Sequence, residues 1–256
     1  MAVLRVERNG ELATVTLDRP EAMNALSSEL CDAIAEAFLG LAAEGPTHVV
    51  ILTGAGRAFS AGVDLKELSS QERPRRLHST EEMIGSVRHF PGPVIAAVNG
   101  FAITGGFELA LAADFIVASR EARFADTHAR VGILPGWGLS QKLPRLIGIG
   151  RAKELAFTGN YVTAEQAEAW GLVNRVTEPD ELLPTCRALA EDMLGCVPEA
   201  LRGYKQLIDE GFALPYGEAL AHESRVSAEH MRTITPQMVA GRRKAIQKRG
   251  RAQSDD

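Results

Sequence analysis

The sequence predicts an α/β fold with a helical C-terminal extension, and three observations carry that expectation. Short apolar runs rich in β-branched residues alternate with helical spacing as far as Val176, and beyond Glu181 only helical spacing follows. Two glycine-rich loops, at 54–64 and 99–106, each follow a strand-like run and precede a helix-like one. At 256 residues the chain is long enough for one main core with an appendage. The expected division is 1–195 for the α/β core and 196–256 for the helical region.

Taken in order, residues 3–7 and 12–17 are short alternating runs around Asn9-Gly10, a pair that suits a hairpin turn. Arg19-Pro20 ends this layer. From Ser27, whose hydroxyl suits an N-cap, Leu30, Ile34, Phe38 and Leu41 fall on one helix face, and Gly45-Pro46 stops the helix. Residues 49–52 are a β-branched strand leading into the loop 53–64. Residues 69–80, SSQERPRRLHST, are polar and aperiodic and contain Pro74, which predicts an exposed excursion able to serve as a lid.

The central stretch is 93–118, PVIAAVNGFAITGGFELALAADFIVA. Residues 94–98 read as a buried strand closed by Asn99-Gly100, and Gly105-Gly106 opens a helix over 107–113. Further strands are expected at 115–118 and 123–125, with a turn at 135–138. Helices at 139–147, 152–158 and 164–169 precede a brief strand at 172–176. Helices at 181–194, 198–211, 216–231 and 236–249 complete the chain, with Pro198 and Pro236 at first-turn positions.

Glu108 stands out as an acid in a segment that is otherwise apolar on every face. Burial raises the pKa of such a group and a helix N-terminus lowers it, which suits a general acid or base as well as a structural cap. Other chemistries find no support. A net charge of −5 offers no global attraction to nucleic acid or an anionic membrane. Cys31, Cys186 and Cys196 form neither a disulfide framework nor a zinc motif, and the six histidines are scattered without ligand spacing, so no metal is implied. There is no G-x-S-x-G elbow, dinucleotide fingerprint or phosphate loop. The N-terminal MAVLRVERNG has no apolar signal region, and a reducing cytoplasm is the expected location.

Six pieces, in this order, resemble the enoyl-CoA hydratase/isomerase (crotonase) superfamily: LDRPEAMNAL from Leu17, AFSAGVDLK from Ala58, PVIAAVNG from Pro93, GGFE from Gly105, LPG from Leu134, and 164–176. The resemblance spans nearly the whole chain. It implies a spiral of ββα turns over 1–195, with 196–256 helping to form trimers or dimers of trimers. It also implies an acyl-CoA thioester substrate, with coenzyme A as part of that substrate and no separate cofactor.

Carried onto this sequence, the resemblance makes the amides of Val63 and Gly105 the donors to the thioester oxygen, and Glu108 a catalytic carboxylate. The family's second carboxylate falls, by ungapped counting, on His128, which either shares proton transfer near neutral pH or marks the loss of that group. Ala25, Ala61, Asp64, Leu65 and Lys66 are expected to line the coenzyme A site, and Gly136 and Trp137 to shape the acyl pocket. The expected activity is addition of water to a trans-2-enoyl-CoA. The alternatives are double-bond isomerisation and non-catalytic acyl-CoA binding.

Overall fold

The computed structural model describes residues 2–45, 47–70 and 78–254. Positions 71–77 of the expected lid therefore lie outside the described residues.

One sheet holds β1 (Leu4–Asn9), β2 (Leu12–Leu17), β3 (Val49–Gly54), β5 (Val94–Val98), β7 (Phe115–Ser119) and β10 (Arg175–Thr177), in that spatial order. The β1–β2 hairpin is antiparallel and every other neighbour in the sheet is parallel. Its two-residue turn is Gly10-Glu11, one position beyond the Asn9-Gly10 pair, with Gly10 at φ +59°. The second sheet holds β4 (Ala58–Ser60), β6 (Phe101–Ile103), β8 (Arg123–Ala125) and β9 (Val162–Thr163). The pairs β3/β4, β5/β6 and β7/β8 each give one strand to either sheet before the chain turns helical. That repetition is a ββα spiral.

The parallel strands read as continuous apolar runs because both of their faces are buried. Val50 and Leu52 of β3 and Ala96 of β5 face the larger core, where α1 (Ser28–Ala43) contributes Leu30, Ile34 and Phe38. Val49, Ile51, Ile95 and Ala97 face the opposite way, onto Leu182, Cys186 and Ala190 of α9 (Leu182–Leu194). Ser27 caps α1 as its sequence suggests, accepting the Leu30 amide at 3.2 Å.

The strand expected at 172–176 is corrected to 175–177. Gly171 takes a left-handed turn (φ +81°) after α8 (Ala164–Ala169), Leu172 and Val173 pack into the core, and the ladder with β7 is made by Arg175, Val176 and Thr177. The remaining helices are α2 (Leu65–Ser69), α3 (Thr80–Arg88), α4 (Gly105–Ala112), α5 (His128–Val131), α6 (Leu139–Ile147), α7 (Ile149–Thr158), α10 (Pro198–Phe212), α11 (Tyr216–Met231) and α12 (Pro236–Ser254). The chain divides into two compact units, Met1–Arg202 and Gly203–Asp256. The first holds both cores. In the second, no described residue of α11 is buried.

Candidate active site

The site is built on the junction between β6 and α4. Thr104 precedes the helix at φ +53°, ψ −111°, a backbone conformation that costs a β-branched residue roughly 1–3 kcal/mol. The second sheet holds it there. Its N–H donates to the Ala125 carbonyl (2.9 Å), its hydroxyl accepts the Thr127 N–H (3.1 Å), and the two threonine hydroxyls bond each other.

Two glycines follow, for different reasons. A Cβ on Gly106 would lie 2.1 Å from the Ser60 carbonyl oxygen, so the helix rests on β4 with no room for a side chain. A Cβ on Gly105 would lie 2.8 Å from a Trp137 ring carbon and 3.4 Å from the Val63 amide nitrogen. The two amide-bearing loops therefore meet at Gly105, beneath the indole. Among the described residues, neither the Val63 nor the Gly105 amide has an acceptor.

Glu108, 2% exposed, lies one turn into α4. It does not cap its own helix. Its Oε1 accepts the amides of Trp137 (2.8 Å) and Leu139 (3.2 Å), so it sits on the N-terminus of α6, where free N–H groups favour an anion. From α3, Arg88 steadies the same loop by donating to the Trp137 carbonyl at 2.7 Å. Oε2 remains and faces His128 Nε2 at 3.5 Å.

His128 is the first residue of α5 and is 5% exposed. Asp126 Oδ1 takes both its Nδ1–H (2.8 Å) and its backbone N–H (3.1 Å). Arg130, two residues further on, donates to the Thr158 carbonyl. Burial pushes the imidazole pKa down, but the hydrogen bonds to Asp126 and Glu108 and their negative charge outweigh it, and the ring is held at about 9 instead of 6.5. Near neutral pH the site therefore holds an imidazolium, where the sequence suggests a group exchanging protons in that range.

A raised pKa in the folded state makes folding proton-linked. The stabilisation is complete below pH 6.5 and is lost as pH rises through about 9, by about 3 kcal/mol in all. Denaturant unfolding between pH 6.5 and 9.5 is expected to show that decline, and His128→Gln to flatten it. An equal slope in the two proteins would contradict this electrostatic account.

The remaining predicted positions separate into two groups. Ala25 and Asp64 come together around Arg19, which donates to the Ala25 carbonyl (2.6 Å) and to Asp64 Oδ2 (3.2 Å). The Ala61 amide bonds the Met23 carbonyl, and Asn24, left-handed at φ +53°, ties the loop to the Ala55 and Ala58 carbonyls. Asp64 itself caps α2, accepting the Lys66 amide. Leu65 and Lys66 lie exposed on the first turn of that helix. Trp137 stands over Gly105, whereas Gly136 is exposed with open space around it.

A cavity of about 480 Å³ opens beside His128, with Asp126, Leu134, Leu139, Leu143 and Ile149 among its walls. Neither Gly136 nor Trp137 lines it. Sequence reasoning missed Thr104, Arg19 and the amides of Trp137 and Leu139. The signal available for Arg19 was its place in the LDRPEAMNAL segment, but main-chain donors leave no mark in a residue's identity.

A ββα spiral with a buried acid beside two amide-bearing loops defines the crotonase class. The chain matches the family model for enoyl-CoA hydratase/isomerase over residues 7–248, and it belongs to that family. It is 38% identical to a probable peroxisomal enoyl-CoA hydratase of Arabidopsis thaliana, over 92% of each chain. It is 40% identical to a carnitinyl-CoA dehydratase of Salmonella arizonae, over 86% of this chain and 88% of that one. The crystal structure of an enoyl-CoA hydratase from Bacillus anthracis superposes with a TM-score of 0.86 at 34% identity, covering 96% of each chain.

Proposed function

We propose that the protein hydrates a trans-2-enoyl-CoA to a 3-hydroxyacyl-CoA. The observation that carries this reading is that Glu108, in the helix that begins at the Gly105 amide, places its carboxylate 3.5 Å from the His128 ring. The Val63 and Gly105 N–H groups donate to the thioester oxygen, where negative charge builds as the enolate forms, and each such donor is worth roughly 10²- to 10³-fold in rate. Glu108 Oε2 takes a proton from water as its oxygen bonds C3, and the C2=C3 π electrons move onto the thioester oxygen. The imidazolium then delivers its Nε2 proton to C2. Glu108 is left protonated and His128 neutral, and one proton passed between Oε2 and Nε2 restores the starting state. Coenzyme A enters as part of the substrate, and no other cofactor takes part in these steps.

Purified protein is incubated with a short 2-enoyl-CoA and, separately, with a 3-enoyl-CoA. Loss of conjugation in the first supports hydration. Appearance of conjugation in the second supports isomerisation, and thermal stabilisation by coenzyme A esters without turnover supports binding alone.

Assembly as a homotrimer or dimer of trimers through the C-terminal helices belongs to the same proposal. Within the monomer, Tyr204, Phe212, Tyr216 and Met231 are exposed, apolar area of the kind an interface buries. A monomer mass by light scattering would refute it. No described helix is long and apolar enough to cross a membrane, and the three free cysteines suit a reducing cytoplasm.

A further inference from the structure

We infer that Asp126 is a positioning residue that aims the Nε2–H of His128 at Glu108 and keeps both ring nitrogens protonated as the resting state of the site. The inference rests on the hydration reading for its kinetic consequences but not for its structural ones. One carboxylate oxygen accepts two donors from the same residue, the ring Nδ1–H at 2.8 Å and the backbone N–H at 3.1 Å. Those two bonds fix the imidazole relative to its own main chain, so the ring cannot turn without breaking one of them. Asp126 is 4% exposed, so its oxygen has little water to exchange for these donors. The residue between the two is pinned as well, because the Thr127 N–H is held by the Thr104 hydroxyl. With Nδ1 committed to Asp126, Nε2 is the nitrogen left to face Glu108.

Among the described residues, several elements bring charged groups to the ring or its neighbouring cavity. Glu108 faces it from α4 and Asp126 from the strand end before α5. Lys153 of α7 lines the neighbouring cavity. Arg130 of α5 is engaged by the Thr158 carbonyl and Lys142 of α6 by the Leu111 carbonyl. The two carboxylates therefore set the protonation state of His128, and Asp126 is the one that makes the shorter contact.

Ring ¹⁵N resonances of His128 test this without reference to turnover. In the unaltered protein they are expected to report a doubly protonated ring at neutral pH, titrating near 9, with the Nδ1 proton far downfield and slow to exchange. Asp126→Asn, which preserves shape, is expected to move that midpoint down by at least one pH unit. It is also expected to move the alkaline limb of kcat/KM by the same amount, and to lower kcat roughly tenfold to hundredfold with KM little changed. An unchanged midpoint in Asp126→Asn overturns the assignment. If that variant does not fold, a neutral ring at pH 7 in the unaltered protein overturns it equally. Absence of turnover in an unaltered protein that shows the doubly protonated ring sinks the hydration reading and leaves the role of Asp126 standing.

Discussion

Glu108→Gln is expected to lower kcat/KM for hydration of a 2-enoyl-CoA by roughly 10²- to 10⁴-fold, the range attributed to a positioned acid or base. The substitution separates the two jobs of this side chain. Glutamine keeps a carbonyl oxygen where Oε1 accepts the amides of Trp137 and Leu139, so the start of α6 stays in place. It replaces Oε2 with an amide nitrogen that cannot take a proton from water. KM should therefore change little while kcat collapses, and the melting temperature should fall because the buried His128 imidazolium loses one of its two negative partners. Steady-state loss of the enoyl thioester absorbance measures the effect, and a variant within threefold of the parent would remove Glu108 from the chemistry.

A large loss of stability is expected from Gly106→Ala. A β-carbon there would sit 2.1 Å from the Ser60 carbonyl oxygen and 2.7 Å from the carbonyl carbon, and neither contact can be relieved by rotating a side chain. Either α4 lifts away from β4 or the strand leaves its sheet, which in a close-packed interior costs on the order of 4 kcal/mol or more. Gly150→Ala, on the exposed side of α7 with open space around it, is the matched control and should be neutral or stabilise by up to about 1 kcal/mol. Denaturant midpoints distinguish the two. Gly106→Ala unfolding at the same midpoint as Gly150→Ala would contradict the packing argument.

The long parallel strands and the larger helices were legible because burial on both faces or on one stripe leaves a run of the right length and period. The second sheet was not. Its strands, Ala58–Ser60, Phe101–Ile103, Arg123–Ala125 and Val162–Thr163, have two or three residues each, too few for a period to register, and only 123–125 was anticipated. Glu108 was legible as a charge among apolar neighbours. What holds it was not, since the amides of Trp137 and Leu139 lie about thirty residues away and converge only once α6 starts beside α4. His128 shows the same limit from another side. Its identity gives a reference pKa, but the direction of its shift depends on a carboxylate two residues back in sequence and another twenty back, which folding brings to opposite edges of the ring.

The grip of Glu108 on the first turn of α6 means that its carboxylate works as a staple, whatever part it takes in the proposed hydration. A descendant of this chain without turnover would still be under pressure to retain an acceptor at position 108, because without one the Trp137 and Leu139 amides would be left unpaired. His128 makes no such bond to α6. A lineage without turnover should therefore lose the histidine before it loses an acceptor, carboxylate or amide, at position 108.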